Sequence, residues 1–249
     1  MTRLFDRPIA HRGLHDRSRG IIENSRTAFE AAVAHGYGIE CDVQLSSDGV
    51  PFIFHDDTLE RLTLANGPCG ALPIAEIERL ELRESSSGDR PQRFADFLTQ
   101  FAGRTTLQIE LKHQATPERT EVLAARVADA IRPYRDSITL ESFDPRLLSA
   151  LRRVGVGVPL GIILHRYDRP SNDLSALQRF ALRHLLHWPT TRFDFISCSR
   201  EALDLPAVRL LRASGLEVTA WTITSPEMAQ AARRGADQIV FEGFLPAIG

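Results

Sequence analysis

From one end to the other, the chain alternates between short strand-like runs and longer stretches with helical spacing. Strand-like runs fall at PIAH (8–11), TLQIELK (106–112), ITLESF (138–143), PLGIIL (159–164), FISCS (195–199), EVTAWTI (217–223) and QIVFE (238–242), with a hairpin-like segment at 39–57. Helical segments lie between them. One is capped by Asn24 or Ser25, carries Ala28, Phe29, Ala32 and Val33 on one face, and is closed by Gly36. Another opens at Thr116-Pro117 and repeats Val122, Leu123, Val127, Ala130 and Ile131. Further helices are expected at 145–153, 173–187, 206–214 and 226–233. Strands interleaved with helices imply a parallel sheet, because parallel neighbours need long crossovers. Leaving out the hairpin's returning arm gives eight strands, which predicts a (β/α)8 TIM barrel as one domain over residues 1–249. A doubly wound open sheet is the structural alternative, but no glycine-rich dinucleotide loop follows the first strand. The segment 59–93 is the irregular part: a short insertion with one helix around 74–82 and a mobile loop at SSSGDRPQ (85–92).

The chemistry is densest in IECDVQLSSDGVPFIFHDD, residues 39–57. Asp48-Gly49 between two alternating runs predicts a two-residue type I′ turn, with positive φ at both central residues. That turn sets Ser47 opposite Val50 and Asp42 opposite His55. Glu40, Asp42, Gln44 and His55 then share one face, and Cys41, Val43, Leu45, Phe52 and Phe54 the other. An ordinary half-solvated hairpin with its charges outward is the plain alternative.

In barrels of this kind, reactive groups stand at the C-terminal ends of the strands. Those ends read His11-Arg12, Glu40/Asp42, Glu110/Lys112, Ser142-Phe143, Trp221 and Glu242. Glu40, Asp42 and Glu110 lie on near-neighbour strands and can converge on one hard divalent cation, Mg²⁺ or Ca²⁺, through oxygen ligands. Zinc fits less well, since the cysteines are scattered. Without a cation, three close carboxylates repel and raise one another's pKa values. The Arg12 guanidinium and the Lys112 ammonium suit the non-bridging oxygens of a phosphate. His11 and His55 are the histidines placed to serve as general base and general acid. His15, His35, His113, His165, His184 and His187 read as packed or surface residues. Cys41 reads as core packing, and Trp221 as either barrel packing or a ligand wall.

Composition narrows the partners. Hydrophobic content of 43%, charged content of 25% and a net charge of −2 describe a soluble globular chain without the basic field that binds nucleic acid. Cys41, Cys69 and Cys198 are odd in number and form no CxxC pair, which suggests free thiols in a reducing compartment, the cytoplasm. No signal-peptide-like run opens the chain, and no window approaches the roughly 18 apolar residues of a membrane helix. The oligomeric state stays open.

Taken together, AHRG (10–13), IENS-x-x-AF (22–29), GIECDVQLSSDGVPFIFHDDTLERLT (38–63), QIELK (108–112), ESFD (141–144) and AWTI (220–223) resemble the glycerophosphodiester phosphodiesterase family. The family pattern of His-Arg, Glu-x-Asp, His and Glu-x-Lys is present in order, and the resemblance runs nearly end to end. It implies a TIM barrel with a variable insertion after the second histidine, short here. It implies that His11 and His55 are the acid–base pair, Glu40, Asp42 and Glu110 the metal ligands, and Arg12 and Lys112 the phosphate-binding cations. Phe143 and Trp221 stand where a substrate would be contacted. The implied reaction is metal-dependent hydrolysis of a small glycerophosphodiester to sn-glycerol 3-phosphate and an alcohol. A lysophospholipase D-like or sphingolipid-directed phosphodiesterase is the enzymatic alternative. A non-catalytic phosphate-ligand binding protein is the other, although binding alone does not need two histidines. The family commonly has Trp-Thr-Val-Asn where this chain has Trp221-Thr222-Ile223-Thr224, and Thr-Asp where it has Phe241-Glu242. Ile22 and Ser25 replace a common Pro and Thr.

Overall fold

The computed structural model describes residues 3–134, 136–168 and 174–248. Its strands are β1 (Ile9–Ala10), β2 (Gly38–Leu45), β3 (Pro51–Ile53), β4 (Leu107–Leu111), β5 (Ile138–Ser142), β6 (Leu160–Leu164), β7 (Phe195–Ser199), β8 (Glu217–Ile223) and β9 (Gln238–Phe241). Between them run α1 (Arg26–Ala34), α2 (Ile74–Ile77), α3 (Phe94–Phe101), α4 (Pro117–Ile131), α5 (Pro145–Arg153), α6 (Ala176–Arg183), α7 (Trp188–Thr191), α8 (Pro206–Ala213) and α9 (Pro226–Ala232). The sheet runs β1-β9-β8-β7-β6-β5-β4-β2, and β1 pairs with β2 to close it. All of these pairs are parallel, and β3 adds to β2 as an antiparallel outer arm. The result is a closed eight-stranded parallel barrel with helices between strands, as the alternation predicts.

Period-2 alternation sorts the strand residues into two layers. Cys41, Val43, Ile109, Leu111 and Leu140 point outward and join Phe29, Phe97, Leu123 and Leu148 from the helices in the main core. The inward layer is different. Gln108 of β4 reaches Glu141 of the adjacent β5 and, across the barrel interior, Ser197 of β7 and Thr219 of β8. Below this polar layer Phe5, Ile9, Phe195 and Val240 pack together and plug the lumen. The helices start on side-chain caps: Ser25, Thr116 and Ser225 each accept from an N–H in the first turn, contributing about 1 kcal/mol apiece.

The hairpin corrects the expected register by one residue. The observed pairs are Val43 with Ile53, Gln44 with Phe52 and Leu45 with Pro51. The loop therefore has three residues, Ser47-Asp48-Gly49, and only Gly49 has positive φ, at 78°. Asp48 does not take the positive φ that a type I′ turn needs, and its carboxylate is engaged with other partners. Its Oδ1 accepts from Ser46 Oγ (2.6 Å) and from the Ile74 N–H (3.0 Å). A tight turn followed by a left-handed glycine is the next favoured hairpin, and it shifts every cross-strand partner. Asp42 thus faces Phe54, whose N–H donates to the Asp42 carbonyl at 3.0 Å. Phe52 and Phe54 leave the face of Cys41, Val43 and Leu45. They pack instead with Ile22, Leu59, Leu62, Ile74 and Ile77 in a second small core beneath the segment after the hairpin.

Two helices also differ from expectation. The one expected around 74–82 is a single turn, Ile74–Ile77. Beyond the 59–93 segment, Phe94–Phe101 forms a full helix that the sequence reading passed over, although Phe94, Phe97, Leu98 and Phe101 repeat at helical spacing and are all buried. The helix expected at 173–187 begins at position 173, which lies outside the described residues. In the structure Ser175 and Gln178 form a capping box for Ala176–Arg183.

Candidate active site at the barrel mouth

Most candidate side chains lie at or just past the C-terminal end of a strand, while Glu40 and Asp42 stand within the longer β2, and barrel closure brings these distant sequence positions together. His11 and Arg12 follow β1, Glu40 and Asp42 lie on β2, Glu110 is on β4 and Lys112 follows it. Parallel register aligns Glu40 with Gln108, Asp42 with Glu110, and Glu110 with Glu141. His11, Arg12, Glu40, His55, Glu110, Lys112, Phe143 and Trp221 line one cavity of about 150 Å³.

Glu40, Asp42 and Glu110 are buried, and one carboxylate oxygen from each lies within 4.8 Å of the others. Lys112 Nζ is 2.8 Å from Asp42 Oδ1 and 2.8 Å from Glu110 Oε1. Arg12 contributes twice: its backbone N–H donates to Glu40 Oε2 at 2.9 Å, and its Nε lies 3.5 Å from Asp42 Oδ2. Asn24 clamps Asp42 from behind, its amide donating to Oδ2 at 2.8 Å while its carbonyl accepts the Asp42 N–H at 3.2 Å. Arg12 and Asn24 both have a left-handed φ of 54° and are tied together by the Asn24 N–H donating to the Arg12 carbonyl. The next residue, Gly13, must be glycine: at φ 80° an added Cβ would meet Ala28 and Phe29 at 2.9 Å.

The carboxylates do not share this charge evenly. Burial, with Asp42 and Glu110 nearby, pushes Glu40 well above the usual carboxylate range. Glu110 is raised by burial to about 7 despite Lys112. For Asp42, burial is outweighed by Lys112, His55 and Arg12, which hold it well below its ordinary value. Two cations therefore leave this cluster short of positive charge. An all-oxygen donor set with unbalanced negative charge suits a hard divalent cation.

Each candidate histidine leans on its own carboxylate. His11 Nδ1 lies 2.7 Å from Glu242 Oε2, while its Nε2 is 4.0 Å from Glu40 Oε2. His55 Nδ1 lies 2.6 Å from Asp56 Oδ1, and burial lowers the His55 pKa. An Nδ1–H donated to a carboxylate leaves Nε2 as the acceptor. Asp56 is fixed by Arg61, Arg61 by Glu23, and Glu23 by the Arg12 guanidinium at 2.6 Å. His55 arrives here although its predicted pairing with Asp42 does not exist: β3 ends at Ile53, and the chain beyond it turns toward the mouth.

Phe143 and Trp221 meet edge to face with centroids 5.8 Å apart. Trp221 lines the cavity while packing on the Phe5–Phe195 plug. His165, read from sequence as packing or surface, is exposed, its ring centroid 6.1 Å from that of Phe143. His15, read the same way, places its buried Nε2 3.6 Å from Glu242 Oε2. The sequence reading gave no role to Glu23, Asp56 or Glu141, read Asn24 only as a possible helix cap, and placed Glu242 at a strand end without a role. Asp56 directly follows His55 and Glu242 ends the last strand, so both carried a positional signal; Glu23 and Asn24 carried none.

Fold and mouth together describe a (β/α)8-barrel enzyme with a carboxylate-rich centre. The chain belongs to the Glycerophosphoryl diester phosphodiesterase family, whose profile matches residues 11–242. Glycerophosphodiester phosphodiesterase 1 of Rattus norvegicus is 38% identical over 87% of this chain and 71% of its own length. The Bos taurus protein of the same name is 25% identical over the same shares of the two chains. Among solved structures, a phosphodiesterase from Oleispira antarctica in complex with the product sn-glycerol-3-phosphate superposes with a TM-score of 0.74, at 23% identity over 94% of this chain and 91% of that one. A glycerophosphodiester phosphodiesterase from Agrobacterium tumefaciens gives 0.70, at 22% identity over 94% of each chain.

Proposed function

We propose that the protein hydrolyses glycerophosphodiesters to sn-glycerol 3-phosphate and an alcohol, using one bound divalent cation, Mg²⁺ or Ca²⁺, and two histidines. The observation that carries this reading is the convergence around one cavity, lined by Glu40 and Glu110 of the carboxylate triad, of two cations and two carboxylate-braced imidazoles. Glu40, Asp42 and Glu110 would hold the cation, which supplies Lewis-acid polarisation of the phosphate. Arg12 and Lys112 bind non-bridging phosphate oxygens. One of His11 and His55 takes a proton from the attacking water or glycerol 2-hydroxyl, and the other gives a proton to the departing alkoxide. The product named in the Oleispira antarctica complex is the product expected here. A protein that only bound a phosphate ligand would have no need of the paired imidazoles.

The cysteines are free and buried, which supports a reducing compartment such as the cytoplasm. No helix among the described residues is long and apolar enough to cross a membrane.

The test is incubation with glycerophosphocholine and a divalent cation, with enzymatic assay of both products. Equal release of choline and sn-glycerol 3-phosphate is expected. Release of phosphocholine and glycerol, or no turnover with any divalent cation, overturns the reading.

Glu242 acts through His11, holding its ring and tautomer. Glu242→Gln is expected to lower kcat roughly 10–100-fold, the range for losing a partner that orients an imidazole, with KM little changed. A KM effect at unchanged kcat would assign Glu242 to substrate binding instead.

A further inference from the structure

The cavity has two unlike halves. Strands β1 to β4 contribute the charged half described above. Strands β5 to β9 contribute Glu141, Phe143, Ile163, Ser197, Trp221 and Val240. In this second half the walls are apolar and the floor is polar. Glu141 and Ser197 are 3% and 1% exposed, and they are braced from inside the barrel by Gln108. The Gln108 amide donates to Glu141 Oε2 at 2.7 Å and lies 3.3 Å from Ser197 Oγ.

A carboxyl group has more bonding capacity than the Gln108 amide and the Ser197 hydroxyl satisfy, and Glu141 lines the cavity. Leaving such a group buried without a partner is costly, so the site suits an occupant bearing a hydroxyl. A hydroxyl both donates and accepts, and so matches a carboxyl in either protonation state. The walls of Phe143, Ile163 and Trp221 suit a short carbon chain. The volume of about 150 Å³ is small beside the roughly 300 Å³ at the low end of ordinary ligand pockets, and leaves no room for an acyl chain.

Resting on the phosphodiesterase reading above, we propose that Glu141 is the residue that selects the glycerol half of the substrate. It binds a hydroxyl of the glycerol moiety whose phosphate lies on Arg12 and Lys112. The alcohol then points outward through the mouth, where no described cavity-lining residue of β5 to β9 other than Glu141 carries a charge to select it.

Calorimetric titration of the cation-loaded protein with sn-glycerol 3-phosphate and with n-propyl phosphate, which lacks both hydroxyls, isolates this contact. In the wild type, glycerol 3-phosphate should bind roughly 10-fold or more tightly than propyl phosphate, the size of one or more buried hydrogen bonds. In Glu141→Met that ratio should fall toward one while propyl phosphate affinity is kept. Glu141→Gln preserves an acceptor for Gln108 and should retain part of the ratio; it answers the same question if the methionine variant does not fold. An unchanged ratio in either folded variant, or an equal loss for both ligands, overturns the proposal. Failure of both phosphates to bind the wild type would overturn the phosphodiesterase reading itself, and the Glu141 assignment with it.

Discussion

His11→Ala and His55→Ala are each expected to reduce kcat on glycerophosphocholine by about 10²–10⁴-fold, the usual contribution of a positioned proton-transfer group. Both imidazoles hold Nδ1 against a carboxylate, at 2.7 Å in one case and 2.6 Å in the other. That contact orients each ring through Nδ1 and leaves Nε2 as the atom that accepts or gives the proton. The side chains are 18% and 30% exposed, so folding should be little disturbed. Thermal melts run beside the kinetics separate the two effects. Turnover near the wild-type rate in either variant removes that histidine from the acid–base pair. The two variants should also differ from Glu242→Gln, which leaves the imidazole in place and weakens only what holds it.

Loss of the divalent cation should have the larger effect. Chelation, or Asp42→Asn, is expected to lower activity about 10³-fold or more, because several kcal/mol of charge stabilisation disappears from the phosphate site. Full activity after chelation, with absence of metal verified by elemental analysis, would eliminate the metal-dependent mechanism. The carboxylates add a pH signature. Glu110 has its folded pKa raised to about 7, well above an unfolded glutamate, and Glu40 is raised as well. Groups shifted in this direction favour the folded state at low pH, and that contribution is lost as pH rises through the folded values. Metal-free protein should therefore become less stable between about pH 4.5 and about 7, and added Mg²⁺ or Ca²⁺ should raise the melting temperature more above that window than below it. An equal shift at both ends would mean that the cation binds elsewhere.

The barrel was legible because its determinants are local. Strand runs such as TLQIELK and FISCS, capping residues such as Ser25 and Thr116, and the alternation of the two element types depend on neighbours along the chain. Closure then follows from strand number and handedness. The acidic cluster was legible for the same reason, since period 2 puts Glu40 and Asp42 on one face and parallel register brings Glu110 beside them. The Phe94–Phe101 helix was equally readable, and was passed over only because the irregular segment before it drew the boundary.

What sequence could not supply came from contacts between distant residues. Asp48-Gly49 favours a two-residue turn by local propensity, yet a hydrogen bond from Ile74, well along the chain, commits the Asp48 carboxylate and lengthens the loop. His55 therefore comes to the mouth by the path of the chain beyond β3, not by pairing with Asp42. The Glu242 brace on His11 joins the last strand to the first and exists only because the barrel closes. Gln108 reaches Ser197 and Thr219 across a lumen whose width no local pattern encodes. Sequence by itself determined the elements, their order and the residue types at the strand ends. Tertiary structure decided which of those side chains touch, because loop register and barrel closure are settled by hydrogen bonds between residues far apart in the chain.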